Sequence, residues 1–250
     1  MDKKRYFLEL AYKGSKYHGW QLQTNAHTVQ EEVNAALSLI LRQRIETMGS
    51  GRTDTGVHAK QQFIHFDFPG SLEKKEFLRR VNGVLPKDIA AYDIREAKAD
   101  AHARFDARWR SYKYYITQRK NPFDVELSWH YFNKLDVSTM NKASGLLLEF
   151  SNFECFSKKK TDVNHFECEI KEAFWEQKGH QLIFNITANR FLRGMVRAVV
   201  GTLVQIGEGK LDLKGFREIL ESKNREMAGA SVPPYGLYLC RISYPENIFI

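Results

Sequence analysis

The sequence predicts an α+β protein, and three observations support that prediction. The chain has 250 residues, of which 43% are hydrophobic, so it can bury one large core or two smaller ones. Segments in which apolar and polar residues alternate, as in strands, occur between segments with helical periodicity. The order of these segments is nearly the same in the two halves of the chain. We therefore expect two halves of one architecture.

The first half has the predicted order strand, helix, strand, strand, helix, strand. The first helix follows Thr28, which forms a capping box with Glu31. Periodicity and turn residues predict strands at 6–12, 45–48, 62–68 and 89–94 and helices at 29–40 and 72–84. This β-α-β-β-α-β order is that of ferredoxin-like and RNA-recognition-motif-like (RRM-like) units.

The second half repeats this order and adds short elements. Its predicted strands are 112–117, 166–175, 182–187 and 237–242, its helices are 136–148 and 191–206, and the additions are a strand near 129 and a helix at 211–220. We therefore predict two ferredoxin-like halves, each with an antiparallel sheet flanked by helices, and a central basic active-site cleft. The predicted domains are residues 1–105, which include an aspartate loop, and residues 106–250.

The charge of the chain favours a polyanionic partner. It has 38 basic and 30 acidic residues, a net charge of +8 and a pI near 9.3. The basic residues are concentrated in four tracts, at 104–110, 119–120, 158–160 and 190–197. An arginine-lined cleft would suit an RNA strand, because guanidinium groups bind phosphates and stack on bases. The pattern leaves open whether Arg193 and Lys158–Lys160 contact RNA.

The sequence favours neither a metal site nor a membrane segment. Cys155, Cys168 and Cys240 lack CxxC spacing, and His165 with Cys168 would supply only two ligands. No apolar run is long enough to span a bilayer, and the segment MDKKRYFLEL lacks the apolar core of a secretory signal. We therefore expect no metal, no membrane association and a cytoplasmic location.

The loop between two predicted strands, Gly51–Ala59, has the sequence GRTDTGVHA. Its two glycines allow a tight turn or a close approach to a ligand. Asp54 would project its carboxylate beyond the sheet edge, and an ion pair with Arg52, two residues away, would keep it ionised. Aspartate and threonine are also ordinary turn residues, so the loop alone does not define a catalytic site.

Other common catalytic motifs are missing from the sequence. It contains no phosphate-binding GxxxxGK[ST] loop, GxSxG elbow, HExxH pair or dinucleotide fingerprint. These absences argue against the commonest nucleotide-binding, serine-hydrolase, zinc-protease and dehydrogenase classes. A site without a cofactor remains.

Several separated motifs resemble the tRNA pseudouridine synthase A (TruA) family and cover the chain almost from end to end. The loop GRTDTGVHA followed by QFIHF at 62–66 resembles the family signature. The other matching segments are YKGSKYHGWQ at 12–21, VQE at 29–31, HARF at 102–105, YKY at 112–114, NRFLRGMVR at 189–197 and PPYGLYL at 233–239. Thr55 departs from the alanine common in the signature, a change that adds a hydroxyl beside Asp54 and leaves its charge unaltered.

The resemblance implies an isomerase that converts uridine to pseudouridine at positions 38, 39 and 40 of the tRNA anticodon stem-loop, without a cofactor. Asp54 matches the family's catalytic aspartate. The carboxylate would either add to C1′ of the ribose as a nucleophile or remove a 2′ proton to give a glycal, and the sequence leaves both routes open. The family forms homodimers, so we expect a homodimer with tRNA as its partner.

The resemblance also implies four substrate-binding residues. Tyr112 matches the family's substrate tyrosine, and Arg197 matches an arginine of its active site. Arg52 is a candidate for filling the position that a flipped uridine vacates, because a guanidinium both stacks on bases and binds phosphate. Leu237 would either form a wall of the uracil pocket or belong to a core strand.

Two other classes stay open beside the isomerase. The element order, basic charge and strand aromatics also fit a non-catalytic RNA-binding module of RRM-like type. A hydrolase using Asp54 with His58 or His65 would need an activated water, and the sequence offers no oxyanion motif. The signature loop favours the isomerase over both.

Overall fold

The computed structural model describes residues 3–158 and 165–250, which form two compact units. The first unit comprises the described residues up to Trp109 together with Leu239–Ile250, and the second comprises Arg110–Tyr238. Each unit is of mixed α+β type, with strands and helices in the alternating order expected from the sequence. The division of the chain at residues 105 and 106 stays a prediction.

The strands and α-helices in the described part of the first unit have the order β-α-β-β-α-β before its C-terminal strand. They are β1 (Lys4–Tyr12), α1 (Val29–Leu41), β2 (Met48–Gly49), β3 (His58–Phe68), α2 (Lys74–Val84) and β4 (Ile89–Ala97). Strand β1 pairs antiparallel with both β3 and β4, and β2 pairs antiparallel with β3. The sheet order is therefore β4-β1-β3, with β2 also on β3.

Local sequence explains both helices of this unit. The Thr28 hydroxyl accepts a hydrogen bond from Glu31 N at 3.3 Å, which satisfies one backbone donor of the first turn of α1. One face of α1 is buried, and its apolar members are Val29, Val33, Ala36, Leu37 and Ile40, as predicted. Helix α2 begins after Glu73, whose carboxylate accepts from Lys75 N and Glu76 N. The ring of Phe77 in α2 stacks on Phe66 of β3 at 6.3 Å.

The second unit follows a similar order with the additional elements. In chain order, its strands and α-helices are β5 (Trp109–Thr117), β6 (Trp129–His130), α3 (Val137–Leu146), β7 (Ile170–Lys178), β8 (Gln181–Ala188), α4 (Met195–Gly207) and α5 (Leu213–Ser222). Strand β8 lies between β5 and β7 and pairs antiparallel with both, whereas β6 is a short parallel partner of β5. Strand β9 (Leu237–Ser243) closes the element order, and its residues from Leu239 onward belong to the first unit.

The start of α4 differs from the prediction. The sequence pattern predicted a helix from Phe191, but α4 begins at Met195 because Gly194 has a φ of 73° in the left-handed region. Arg193 therefore precedes the helix, and its placement inside the predicted helix 191–206 was wrong. The apolar residues of α4 are buried.

Within residues 3–158 and 165–250, none of the helices has the length and apolar character needed to cross a bilayer.

Candidate active site

Asp54 lies in the loop between β2 and β3. Thr55 and Gly56 form a turn, in which Val57 N donates to Asp54 O at 3.1 Å and Gly56 has a φ of 77°. Asp54 is partly exposed, and its neighbours Arg52 and Thr55 are exposed. The chain reverses immediately after the aspartate, so Asp54 is the first residue of a tight turn.

Residues 12–20, at the end of β1 and directly after it, hold this loop on both sides of Asp54. Before the aspartate, the Thr53 hydroxyl is 2.9 Å from the Tyr12 hydroxyl, and Thr53 O accepts from Trp20 N at 3.4 Å. After the aspartate, Gly56 N donates to Tyr17 O at 3.2 Å. The backbone on either side of Asp54 is thus fixed by a second segment of the same unit.

Two glycines allow this close approach, and sequence reasoning did not single them out. Gly19 has a φ of 88°, and a Cβ atom there would lie 2.2 Å from Thr53 O. At Gly14 a Cβ atom would lie 2.0 Å from Val57 O. Neither gap admits a side chain, because both obstacles are backbone carbonyls. The available signal was the segment YKGSKYHGWQ, whose glycines match the family without revealing which backbone they approach.

A buried glutamine of β3 supports the start of the loop. Gln62 Nε2 donates to Gly51 O at 3.0 Å, and its Oε1 is hydrogen-bonded to the Ser50 hydroxyl. Ser50 N also donates to Phe63 O at 2.8 Å. These bonds tie the loop to the strand that follows it.

The two histidines of the hydrolase alternative contact main-chain donors. His58 Nδ1 accepts from Gly14 N at 2.9 Å, and His65 Nδ1 accepts from Ala103 N at 3.0 Å. Burial lowers the pKa of His65 to about 4, and the positive charge of Arg5 adds to the effect. Both Nδ1 atoms are occupied as acceptors from the backbone, which gives each histidine a structural role.

Arg52 lies beside the segment that follows β1. Its Nε donates to Gln21 Oε1 at 3.0 Å. With Arg104 of the HARF segment, Arg52 lines a small hollow next to Trp20. The ion pair of Arg52 with Asp54 stays a prediction, whereas the neighbouring Arg104 is a cationic residue that sequence reasoning left without a role at this loop.

The other three sequence-predicted site residues lie in the second unit. Tyr112 is on β5 opposite Ile186, is 9% exposed, and meets the Phe191 ring edge-on at 5.1 Å. Arg197 is on α4, and Leu237 is the buried first residue of β9. Tyr112 and Tyr114 are two residues apart and share the buried face of β5, because side chains alternate along a strand.

Arg197 and Tyr114 both fix the segment that leads to Leu237. Arg197 Nε donates to Val232 O at 2.7 Å, and Val232 N donates to Arg197 O at 3.2 Å. The Tyr114 hydroxyl donates to Pro233 O at 2.8 Å, and burial raises the pKa of Tyr114. Sequence reasoning missed this role of Val232 and Pro233, because their contacts involve backbone carbonyls, which any residue carries.

Two basic tracts that are far apart in the sequence meet in the second unit. Lys158 N donates to Arg193 O at 2.9 Å. This bond joins the first residue of the tract 158–160 to the turn before α4. Arg193 is exposed there. Lys159 and Lys160, the rest of that tract, lie outside the described residues.

Among the residues that the structure describes, no group of three or more histidine, cysteine, aspartate or glutamate side chains is placed to hold a metal ion.

Comparison with known proteins defines the class to which this fold and loop belong. A family model described as tRNA pseudouridine synthase matches residues 10–106 and 150–245, which include Asp54 and Arg197. The chain belongs to the tRNA pseudouridine synthase family, whose members are isomerases acting on tRNA.

Its relatives narrow the class to one kind of enzyme. The chain is 48% identical over 251 residues to a protein of Porphyromonas gingivalis, with 98% of this chain and 99% of the relative covered. It is 46% identical to a protein of Bacteroides fragilis, with both chains covered completely, and 45% identical to one of Parabacteroides distasonis, with 98% of each covered. All three relatives are named tRNA pseudouridine synthase A.

Proposed function

We propose that the protein converts uridine to pseudouridine at positions 38, 39 and 40 in the anticodon stem-loop of tRNA, with Asp54 as the catalytic carboxylate. The observation that carries the proposal is the placement of Asp54. It is the only carboxylate in the signature loop, it is partly exposed, and the backbone is hydrogen-bonded on both sides of it. Such anchoring suits a group that must meet one ribose atom, because misplacement by about 1 Å costs about a hundredfold in rate.

The reaction needs one carboxylate and no external reactant. In the proposed route an Asp54 oxygen attacks C1′ of the ribose, the N1–C1′ bond breaks, and uracil leaves with the bonding electron pair. The base turns, C5 attacks C1′ and displaces the carboxylate, which regenerates Asp54. C5 then loses its proton and N1 gains one, so atoms and charge balance without a metal or a redox cofactor.

The four substrate-binding residues have separate tasks in this proposal. Tyr112 stacks on the detached uracil and its hydroxyl takes the C5 proton, and Leu237 forms a wall of the base pocket. Arg197 contacts Asp54 or a phosphate, in addition to holding Val232 O through its Nε. Arg52 fills the position of the flipped uridine, a task for which its exposure on the loop is favourable.

The proposal includes the organisation that the sequence predicts. It comprises two ferredoxin-like halves, divided near residues 105 and 106, with a basic active-site cleft. The order β4-β1-β3 with β2 on β3 supports this assignment for the first half. The enzyme acts as a homodimer, and because its substrate is tRNA we place it in the cytoplasm.

The test is incubation of the purified protein with unmodified tRNA, followed by nucleoside analysis. Pseudouridine should form in tRNA carrying uridine at positions 38 to 40, and none should form in a control tRNA with cytidine at these positions. Binding without isomerisation would instead identify an RNA-binding module, and strand cleavage would identify a hydrolase.

A second measurement separates the two routes for Asp54. Deuterium at C2′ of the target uridine should leave the single-turnover rate nearly unchanged if the carboxylate attacks C1′. A primary isotope effect would assign the glycal route, because that route breaks the C2′–H bond.

A further inference from the structure

The second unit contains a pocket at the C-terminal end of β5, away from Tyr112. The cavity has a volume of about 390 Å³, and among its lining residues are Thr117, Arg119, Lys120, Asn121, His180 and Gln181. Thr117 follows Tyr112 by five residues on one strand, which corresponds to roughly 17 Å. The pocket is therefore separate from the side chain assigned to the uracil base.

The lining is cationic on its exposed side. Arg119 and Lys120 are both exposed, and in the part of the chain that the structure describes neither is joined to a carboxylate by a salt bridge. Asp124 is the carboxylate among the described lining residues, and its Oδ2 accepts from Asn121 Nδ2 at 2.7 Å and lies 3.5 Å from Gln181 Nε2. Two neutral amides thus hold the negative charge, while the two cations face solvent.

Two exposed aromatic rings accompany these cations. Phe123 is 86% exposed, although its backbone is fixed, since the Asn121 side chain accepts from Phe123 N at 3.1 Å. Phe132 is 79% exposed and follows Tyr131, whose N donates to Thr117 O at 2.9 Å. Exposed rings on a fixed backbone lose little freedom when another flat group stacks on them.

We propose that this pocket is a second RNA-binding site, which takes a phosphate and a stacked base of an unpaired nucleotide outside the target position. Arginine and lysine bind phosphate oxygens, and aromatic rings stack on any base, so the combination fits RNA better than it fits an acidic peptide. The inference rests on the proposed function, in which one tRNA occupies both this pocket and the active site. Its consequence is tighter binding of whole tRNA without a change in the chemical step.

The main test is the salt dependence of tRNA binding by the double variant Arg119→Ala/Lys120→Ala. Each lost phosphate contact should reduce the slope of log affinity against log salt by about 0.7 to 0.9, so the double variant, which lacks both cations of the one phosphate site, should lose about 0.7 to 0.9. Affinity near 0.1 M salt should fall on the order of tenfold. The value of kcat at saturating tRNA should stay within about twofold of the wild type.

A matched control removes the same charge elsewhere in the second unit. Lys214→Ala/Lys223→Gly also removes two positive charges, and glycine suits residue 223 because its φ is 53°. Equal slopes for the two double variants would overturn the proposal, since the effect would then follow net charge alone.

Phe123 tests the stacking part of the site. Phe123→Ala should lower the affinity for tRNA at least about fivefold, whereas Phe123→Tyr should retain it. Both variants should leave the thermal stability nearly unchanged, because the ring is exposed. An affinity for Phe123→Ala equal to that of the wild type would reject a stacking role.

Two further measurements, of oligomeric mass and of turnover, distinguish this proposal from a protein interface and from the proposed function. If the variants change the oligomeric mass and leave tRNA affinity intact, the surface is a protein interface and the RNA site is refuted. Binding is measured independently of turnover. The wild type could bind tRNA and form no pseudouridine while the variant shows the expected loss of salt slope. That result would contradict the proposed function and support this site.

Discussion

The aspartate loop (51–59) and the connection between β5 and β6 (118–128) are held in place by different kinds of contact. In the loop, contacts from residues 12–20 hold the backbone on both sides of Asp54, and two glycines approach carbonyls too closely for any side chain. In the connection, a short turn capped by Asn121 fixes the backbone locally and leaves the ring of Phe123 in solvent. The aspartate loop holds the backbone around Asp54 in one position, and the connection exposes side chains to solvent.

This difference matches what the two proposals require of each region. Covalent chemistry at C1′ tolerates little displacement of the attacking oxygen. Phosphate binding depends on charge within a Debye length, and stacking tolerates any base, so neither requires comparable precision. We therefore expect substitutions in the loop to lower kcat and substitutions in the connection to lower affinity.

The strongest test of the loop is Asp54→Asn. The substitution keeps the shape of the side chain and removes the proposed nucleophile, so kcat should fall by at least about 10³-fold. Affinity for tRNA should be unchanged or higher, because a negative charge is lost. The comparison is with Asp100→Asn, an exposed carboxylate of the same unit, in single-turnover assays. Turnover of Asp54→Asn within tenfold of the wild type would remove Asp54 from the mechanism.

The next largest effect is expected for Tyr112→Phe. The ring and its edge contact with Phe191 remain, so tRNA should bind normally, while loss of the hydroxyl should slow product formation about 10²-fold. Tyr112→Leu should also lose productive placement of the base. Tyr92→Phe, an exposed tyrosine of β4, is the control. If Tyr112→Phe forms pseudouridine at nearly the wild-type rate, the ring is a stacking platform and another group removes the proton.

Gly19→Ala tests the bracing of the loop directly. A Cβ atom at this left-handed position would lie 2.2 Å from Thr53 O, so either the aspartate loop or the segment after β1 must move. We expect a loss of about 3 kcal/mol in the free energy of unfolding and about tenfold in kcat.

Gly83→Ala is the matched control for this substitution. Nothing lies within 4 Å of the added atom in α2, and a helical alanine should stabilise by about 0.5 to 1 kcal/mol. Equal stability of the two variants, measured by urea unfolding, would mean that the loop accommodates the methyl group without strain.

The sequence predicted elements that depend on local signals. Thr28 and the apolar stripe of α1 predicted that helix correctly, because both signals act within one or two turns. The start of α4 could not be placed, since whether Gly194 continues a helix or adopts a positive φ depends on its surroundings. The shared face of Tyr112 and Tyr114 on β5 followed from alternation along the strand.

Long-range contacts account for what the sequence did not reveal at the site. The approach of Gly19 to Thr53, and the meeting of Lys158 with Arg193, join segments through backbone atoms. Backbone carbonyls and amides are common to nearly all residues, so no residue pattern marks such contacts. A catalytic role for Asp54 was predicted only through the family signature, because aspartate is equally common in ordinary turns.

Acid should weaken the first unit through His65. Its pKa is about 4 in the folded protein and about 6.5 in the unfolded chain, so the unfolded state binds more protons between these values. The stabilising contribution should be complete above pH 6.5, decline as the pH falls towards 4, and decline no further below it. The expected loss is about 3 kcal/mol.

His65→Asn isolates this contribution, because its Oδ1 can replace Nδ1 as the acceptor for Ala103 N. The stability difference between wild type and variant should change between pH 7 and pH 4 in urea unfolding experiments. A difference that is independent of pH would show that His65 does not titrate in this range.

The smallest effect is expected where the two basic tracts meet before α4. Removing the side chains in Lys158→Ala/Arg193→Ala leaves the bond from residue 158 N to residue 193 O intact, so the turn should persist. If both side chains contact phosphates, the salt slope of tRNA binding should decrease by about 1.4 to 1.8, with a loss of affinity of several-fold. Lys75→Ala/Arg79→Ala on the exposed face of α2 removes the same charge and serves as the control. Combination with Arg119→Ala/Lys120→Ala should then add the two slope changes, because separate phosphates release separate counterions. A slope equal to that of the α2 control would place Lys158 and Arg193 outside the RNA contact.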